Sequence, residues 1–280
     1  MPEVEGAERG FAQVNGARFA YEVAGEGHPL VLIHGGLMDQ SMWDEQFEAF
    51  AQHYRVVRFD VRGFGQSDAP AAGDQFSLFE DVYGLLKFLG IDKTYVLGLS
   101  MGGSIALDFT LAHPEMVDAL ILVAPGMSGD QTEPNEEELA TWNQIEEAIK
   151  RGDLEQATEL ETRIWVDGPK RSPGQVDPEV RRRVYDMNLH NYRRMGSAEL
   201  PSPQHLEPPA AERLSEISAP TLLIIGDGDV RIMFIVMEKL EKGIRGAKKV
   251  VMQGVAHVPN MEQPQEFNRI VLNFLSSLPS

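Results

Sequence analysis

Short apolar runs separated by helical stretches form the dominant pattern along this chain. The runs lie at residues 30–33, 54–59, 94–99, 119–123, 221–225 and 249–252. They are rich in Val, Leu and Ile with little polar alternation, which predicts strands of a parallel sheet covered on both faces. Upstream, Asn15-Gly16 separates two strand-like runs, 11–14 and 17–23, and Asn-Gly readily takes the positive φ angles of a tight hairpin turn. Ser77 and Glu80 are spaced as a capping box, and Leu78, Val82, Leu85, Leu86 and Leu89 follow at helical spacing before Gly90. Pro264 suits a first helical turn, and Phe267, Ile270, Val271, Phe274 and Leu275 make one apolar stripe behind it. Strands alternating with helices predict an α/β fold with mostly right-handed crossovers.

The alternation breaks between residues 126 and 217, where no convincing strand occurs. Three helix-like segments, 136–150, 154–165 and 178–195, fill that interval. The strand pattern resumes at Thr221, so the expectation is one core domain, 1–125 and 218–280, interrupted by a helical cap at 126–217.

Composition narrows the chemistry. The chain has 280 residues, long enough to bury a sizeable core, and a formal net charge of -18. Nucleic acid needs clustered Lys and Arg and is excluded as an expected partner. With no cysteine there is no thiolate nucleophile, disulfide or Cys-ligated metal. The acidic start lacks the apolar run of a signal peptide, and no stretch approaches the ~20 apolar residues of a membrane helix. The expectation is a cytoplasmic protein.

Gly98-Leu99-Ser100-Met101-Gly102 follows an apolar strand and precedes a helix-like run that stops at Pro114. Strand, sharp turn and helix is the setting that projects a strained serine hydroxyl above a sheet, with small residues relieving the crowding. A glycine-rich turn with an incidental serine is the plainer alternative. A serine hydroxyl needs a base, and the base needs an orienting carboxylate. Among the seven histidines, His257 alone follows a late strand and a glycine turn, Gly254-Val255-Ala256, at the sheet edge where ligands of open α/β sheets bind. The acid is expected after the strand at 221–225, where Asp229 reaches further into the loop than Asp227, and Asp130 is a poor third candidate. An oxyanion needs two donors. Met101, at a helix N-terminus, supplies one amide, and the loop after His34-Gly35-Gly36 supplies the other, from Gly36 or alternatively Leu37. His34 is expected to brace that loop, and ligands for zinc are wanting.

Together these residues resemble the α/β-hydrolase superfamily, nearest its serine esterases, non-haem haloperoxidases (perhydrolases) and C–C bond hydrolases with a helical cap. The marks are His34-Gly35-Gly36, Asp60-Val61-Arg62-Gly63-Phe64-Gly65-Gln66-Ser67, Gly98 to Gly103, Gly226 to Asp229, and Gly254-Val255-Ala256-His257 with Glu262-Gln263-Pro264. The resemblance implies an eight-stranded, mostly parallel sheet with helices on both faces and the insertion as lid. It also makes the Asp60 to Ser67 segment a structural turn. One departure is the run Val230-Arg231-Ile232-Met233-Phe234-Ile235-Val236-Met237, unusually apolar for its place, which is either a buried helix face or a contact with the lid or a second subunit.

The function expected is hydrolysis of carboxylic esters with small to medium apolar acyl groups by Ser100, His257 and Asp229, without metal or cofactor. Trp142, Ile145, Ile164 and Trp165 are candidates to face the substrate, or simply to pack the cap onto the core. A small-molecule ester is the expected partner, without membrane or nucleic acid, and no oligomeric state follows. Peroxide-dependent chemistry, C–C cleavage of vinylogous diketones and non-catalytic ligand binding are the rival readings.

Overall fold

The computed structural model describes residues 6–195 and 201–278. Its strands are β1 (Glu8–Val14), β2 (Ala17–Ala24), β3 (Pro29–Ile33), β4 (Arg55–Phe59), β5 (Thr94–Leu99), β6 (Val117–Val123), β7 (Thr221–Gly226) and β8 (Lys248–Met252). The helices are α1 (Asp44–Phe50), α2 (Leu78–Phe88), α3 (Met101–Ala112), α4 (Glu136–Lys150), α5 (Leu154–Thr162), α6 (Pro178–Met195), α7 (Ala210–Arg213), α8 (Arg231–Gly243), α9 (Pro259–Glu262) and α10 (Pro264–Ser276).

The strands form an eight-stranded sheet in the order β1-β2-β4-β3-β5-β6-β7-β8. β1 and β2 make the hairpin, with Asn15 and Gly16 at φ 49° and 74°, and β2 pairs antiparallel with β4. The remaining pairings are parallel. Period-two alternation splits the core into two layers. Val31, Ile33, Leu120, Leu122, Leu223 and Ile225 face α2, α3 and α8. Leu30, Leu32, Ile121, Val123, Leu222 and Ile224 face the other way, toward Trp43, Phe47 and Phe50 beside α1 and Phe267, Val271 and Phe274 of α10. Each such side chain contributes roughly 1.5–3 kcal/mol by leaving water.

Two local expectations need correction. The run ending at Met252 is not covered on both faces: β8 is the sheet's edge, with Lys248 and Lys249 exposed and Val251 40% exposed. Ser77 caps α2 without a side-chain hydrogen bond. Glu80 turns instead to His113, at 3.2 Å, so the capping box does not close. The box forms at α4, between Asn135 and Glu138.

Helices α4 to α7 lie between β6 and β7, where the sequence shows no strand. Ile145, Ala148, Ala157 and Tyr192 give the first three a small core of their own, while Val180, Val184 and Met187 of α6 join the main core. The helix expected at 154–165 ends as α at Thr162 and continues as a π-helical turn, Arg163–Asp167. The apolar run after Asp229 is a buried helix face: Ile232, Val236, Met237 and Leu240 of α8 are buried. Its first turn also meets the insertion, since Arg231 pairs with Glu138 at 2.9 Å. No helix among the described residues is long and apolar enough to cross a membrane.

Candidate active site

The site lies beyond the carboxyl ends of β3, β5 and β7. Ser100 sits between β5 and α3 at φ 54°, ψ -114°. A non-glycine residue there stores about 1–3 kcal/mol of strain, so the surroundings must enforce it. They do so by hydrogen bonds: the Ser100 amide donates to Val123 O at 2.9 Å, and its carbonyl accepts from Ser104 at 3.0 Å and Gly126 at 3.1 Å. Close packing completes the turn. A Cβ on Gly98 would lie 2.1 Å from Gly102 O, and one on Gly102 would lie 2.2 Å from Ile33 O. The Met101 amide opens α3, among the N–H groups that intrahelical bonding leaves without a partner.

Gly36 adjoins Met101, since a Cβ on Gly36 would stand 3.8 Å from Met101 Cβ. Leu37 follows at φ 58°. His34 is fully buried and braces this loop: Nδ1–H donates to Gly35 O at 2.8 Å, and Nε2 accepts from the Val61 amide at 2.9 Å. Burial pushes its pKa down, outweighing the pull of nearby Asp60, which keeps Nε2 free to accept. Asp60 accepts from the amides of Gln40 at 2.9 Å and Gln66 at 2.8 Å, holding the segment after β4 as a turn.

Asp229 and His257 are brought together, with His257 Nδ1 2.9 Å from Asp229 Oδ2 and both residues buried. The second Asp229 oxygen accepts from the Val230 amide at 2.8 Å. Asp227 serves the turn instead, accepting from the Gly254 amide at 2.7 Å. Nδ1 being occupied by the carboxylate, Nε2 of His257 is the remaining ring nitrogen. It is buried and takes no hydrogen bond from any described residue, Ser100 included.

The expected cap residues divide. Trp165 reaches the site: its ring lies 4.5 Å from that of His257, and its carbonyl accepts from the His257 amide at 3.1 Å. Trp165 lies within the π-helical turn Arg163–Asp167. Ile145 is buried in the insertion's own core, with Trp142 and Ile164 packed against it. Those two line a cavity of about 470 Å³ between the insertion and Val230. A second, apolar cavity of about 310 Å³ opens beside Met101, walled by Phe64, Phe76, Phe79 and Ile105. Among the described residues, no three His, Asp or Glu side chains converge as a metal-binding group.

Three residues of the insertion escaped the sequence reading. Fully buried Asn191 donates to the carbonyls of Leu37 and Met38, both at 3.1 Å, and accepts from the Gly65 amide at 3.0 Å. Arg171 donates to Gly254 O at 2.8 Å and pairs with Glu262 at 2.6 Å, while Glu262 accepts from the Ala256 amide at 2.7 Å. Glu161 accepts from Trp165 Nε1 at 2.5 Å and from the Tyr192 hydroxyl at 3.1 Å. The spacing Glu161 to Trp165, four residues on a helix, is the only one of these visible beforehand.

The profile of the alpha/beta hydrolase fold matches residues 28–264. The chain belongs to the alpha/beta hydrolase family. A 3-oxoadipate enol-lactonase of Acinetobacter baylyi is 28% identical, the match covering 90% of this chain and 91% of that one. A 2-hydroxy-6-oxo-6-phenylhexa-2,4-dienoate hydrolase of Comamonas testosteroni is also 28% identical, covering 91% and 90%. Among solved structures, a thermophilic esterase from Thermogutta terrifontis superimposes with a TM-score of 0.75 at 26% identity, over 96% of this chain and 98% of that one. This α/β hydrolase therefore shares its scaffold with an enol-lactonase, a dienoate hydrolase and an esterase. The family makes it a hydrolase; its substrate is a matter for the site.

Proposed function

We propose that this hydrolase cleaves carboxylic esters through an acyl-enzyme, with Ser100 as nucleophile, His257 as general base and acid, and Asp229 as the orienting carboxylate. The observation that carries the reading is the buried Asp229–His257 pair, bonded through Nδ1 at 2.9 Å, which reserves the unpartnered Nε2 for a proton. Ser100 Oγ attacks the ester carbonyl as Nε2 takes its proton. The amides of Met101 and Gly36, or Leu37 in place of Gly36, hold the oxyanion. The imidazolium protonates the leaving alkoxide, and a water activated by the same nitrogen then releases the acid.

Residues 126–217 act as the lid in this reading. Trp165 roofs the histidine, and this apolar cover suits a small to medium apolar acyl group. The loop after His34 reads Gly-Gly-Leu-Met-Asp and offers no basic group for a dienoate carboxylate, which favours ester over C–C cleavage.

A panel of p-nitrophenyl esters of graded chain length, run with and without Ser100→Ala, tests this. Turnover should fall ~10⁴-fold or more in the variant. Undiminished ester hydrolysis by Ser100→Ala would end the proposal. Peroxide-dependent halogenation without ester turnover would favour the perhydrolase reading.

A further inference from the structure

The cavity of about 310 Å³ beside Met101 lies apart from the triad: Ser100, Asp229 and His257 are not among the described residues that line it. Met101, Ile105 and Asp108 of α3 form one wall, spaced as a single helical stripe, and the rings of Phe64, Phe76 and Phe79 stand around it. Two charged side chains, Arg62 and Asp108, border this space together with His205. Arg62 is already matched, bonded to both oxygens of buried Asp81 at 2.7 Å.

Asp108 is not matched in this way. It is only 5% exposed. One carboxylate oxygen accepts from the Ser128 hydroxyl at 2.7 Å, and Ser128 Oγ in turn accepts from the Ala210 amide at 2.9 Å. The other oxygen accepts no hydrogen bond from any described residue, and it is not sealed off by protein. Among the described residues no Lys, Arg or His forms an ion pair with Asp108. His205, which is exposed, and Arg213, held by Glu216 at 2.7 Å, act on it only from a greater distance. Burial pushes the Asp108 carboxyl up, and an anion so placed costs stability until a cation meets it. An apolar recess with a few polar groups in its wall is the usual form of a small-molecule site. Here the group left open is an acceptor of negative charge, which calls for a cationic donor.

We propose that this cavity is a second ligand site, for a small hydrophobic amine whose ammonium group bonds Asp108 and whose carbon skeleton packs against Phe79 and Ile105. It does not depend on the ester-cleaving reading, although Met101 follows Ser100, so a ligand here meets the first turn of the helix behind that serine. Calorimetric titration compares benzylamine with benzyl alcohol at about pH 8, where the amine is charged and an ordinary histidine such as His205 is not. Benzylamine should bind about tenfold or more tighter, the size of one charge-assisted hydrogen bond. In Asp108→Asn the amide oxygen can still accept from Ser128, and the preference for the amine should fall to about one. Equal binding of the two compounds, no binding of benzylamine, or a preference preserved in Asp108→Asn overturns the proposal. Methyl NMR locates the ligand in the unaltered protein: benzylamine should move the Ile105 and Met101 methyl signals. Shifts confined to residues elsewhere refute the site, and this measurement decides alone should Asp108→Asn fail to fold.

Discussion

Asn191 offers the sharpest test of how the insertion governs the site. Its side-chain amide joins three segments: the loop after β3, the turn after β4 and its own helix α6. Truncation in Asn191→Ala strands the Gly65 N–H and the carbonyls of Leu37 and Met38. A buried group left without its partner costs about 1–3 kcal/mol, and partial rewetting of the carbonyls lowers the sum, so the loss should be on the order of 3–5 kcal/mol. At roughly 2–4 °C per kcal/mol for a chain of this size, the melting temperature falls by about 10 °C. Activity should suffer separately. Leu37 occupies a left-handed conformation, φ 58°, that costs a leucine about 1–2 kcal/mol and that the Asn191 bonds help to hold. Without them the Gly36 and Leu37 amides, proposed for the oxyanion, drift, and kcat should drop by about tenfold or more while KM changes little. Asn191→Asp separates hydrogen bonding from volume: it keeps the size but turns two donors into acceptors facing carbonyls, and should be at least as damaging. Urea unfolding and p-nitrophenyl acetate kinetics measure both effects. A stability within about 0.5 kcal/mol of the unaltered protein, together with unchanged kcat, would refute the reasoning.

Further outcomes follow from the same geometry. Asp229→Asn presents an amide to Nδ1 and fixes the wrong imidazole tautomer, so kcat should fall ~10⁴-fold, whereas Asp227→Asn should stay within about tenfold; comparable losses in the two would overturn the assignment of the acid. Arg171→Met leaves the buried Glu262 without its cation, at about 3 kcal/mol, and an unchanged melting temperature would contradict that. His34, whose folded pKa lies below the ordinary 6.5, binds its proton more readily when unfolded. Its contribution to stability is therefore complete above about pH 6.5 and is lost as pH falls below it, by up to ~1.4 kcal/mol per pH unit. Nitrogen NMR should find the ring titrating below 6.5, and a His34 titrating at or above 6.5 would exclude this.

Periodicity located the strands, because a strand buried on both faces leaves no polar alternation in its sequence and a hairpin needs a residue tolerant of positive φ at Asn15. The turn at Ser100 was legible for the same reason, since its glycines are demanded by backbone atoms 2.1–2.2 Å from where a Cβ would stand. The capping box at Ser77 misled because the spacing fits but Glu80 finds His113 nearby, a neighbour that only folding supplies. β8 misled because sheet position, not composition, decides which strand lies at an edge.

Chain-local patterns thus determined the element order, the strained serine and the loops carrying Asp229 and His257, since each is marked by glycines and apolar runs within a few positions of itself. Only the tertiary structure decided that Asn191 grips Leu37 from 154 positions away, that Arg171 ties Gly254 and Glu262 together, and that Trp165 roofs the histidine while Ile145 does not. Those contacts are made by ordinary polar and apolar side chains whose partners are set by how helices dock. Docking sums many weak contacts over the whole core, and no short stretch of sequence encodes that sum.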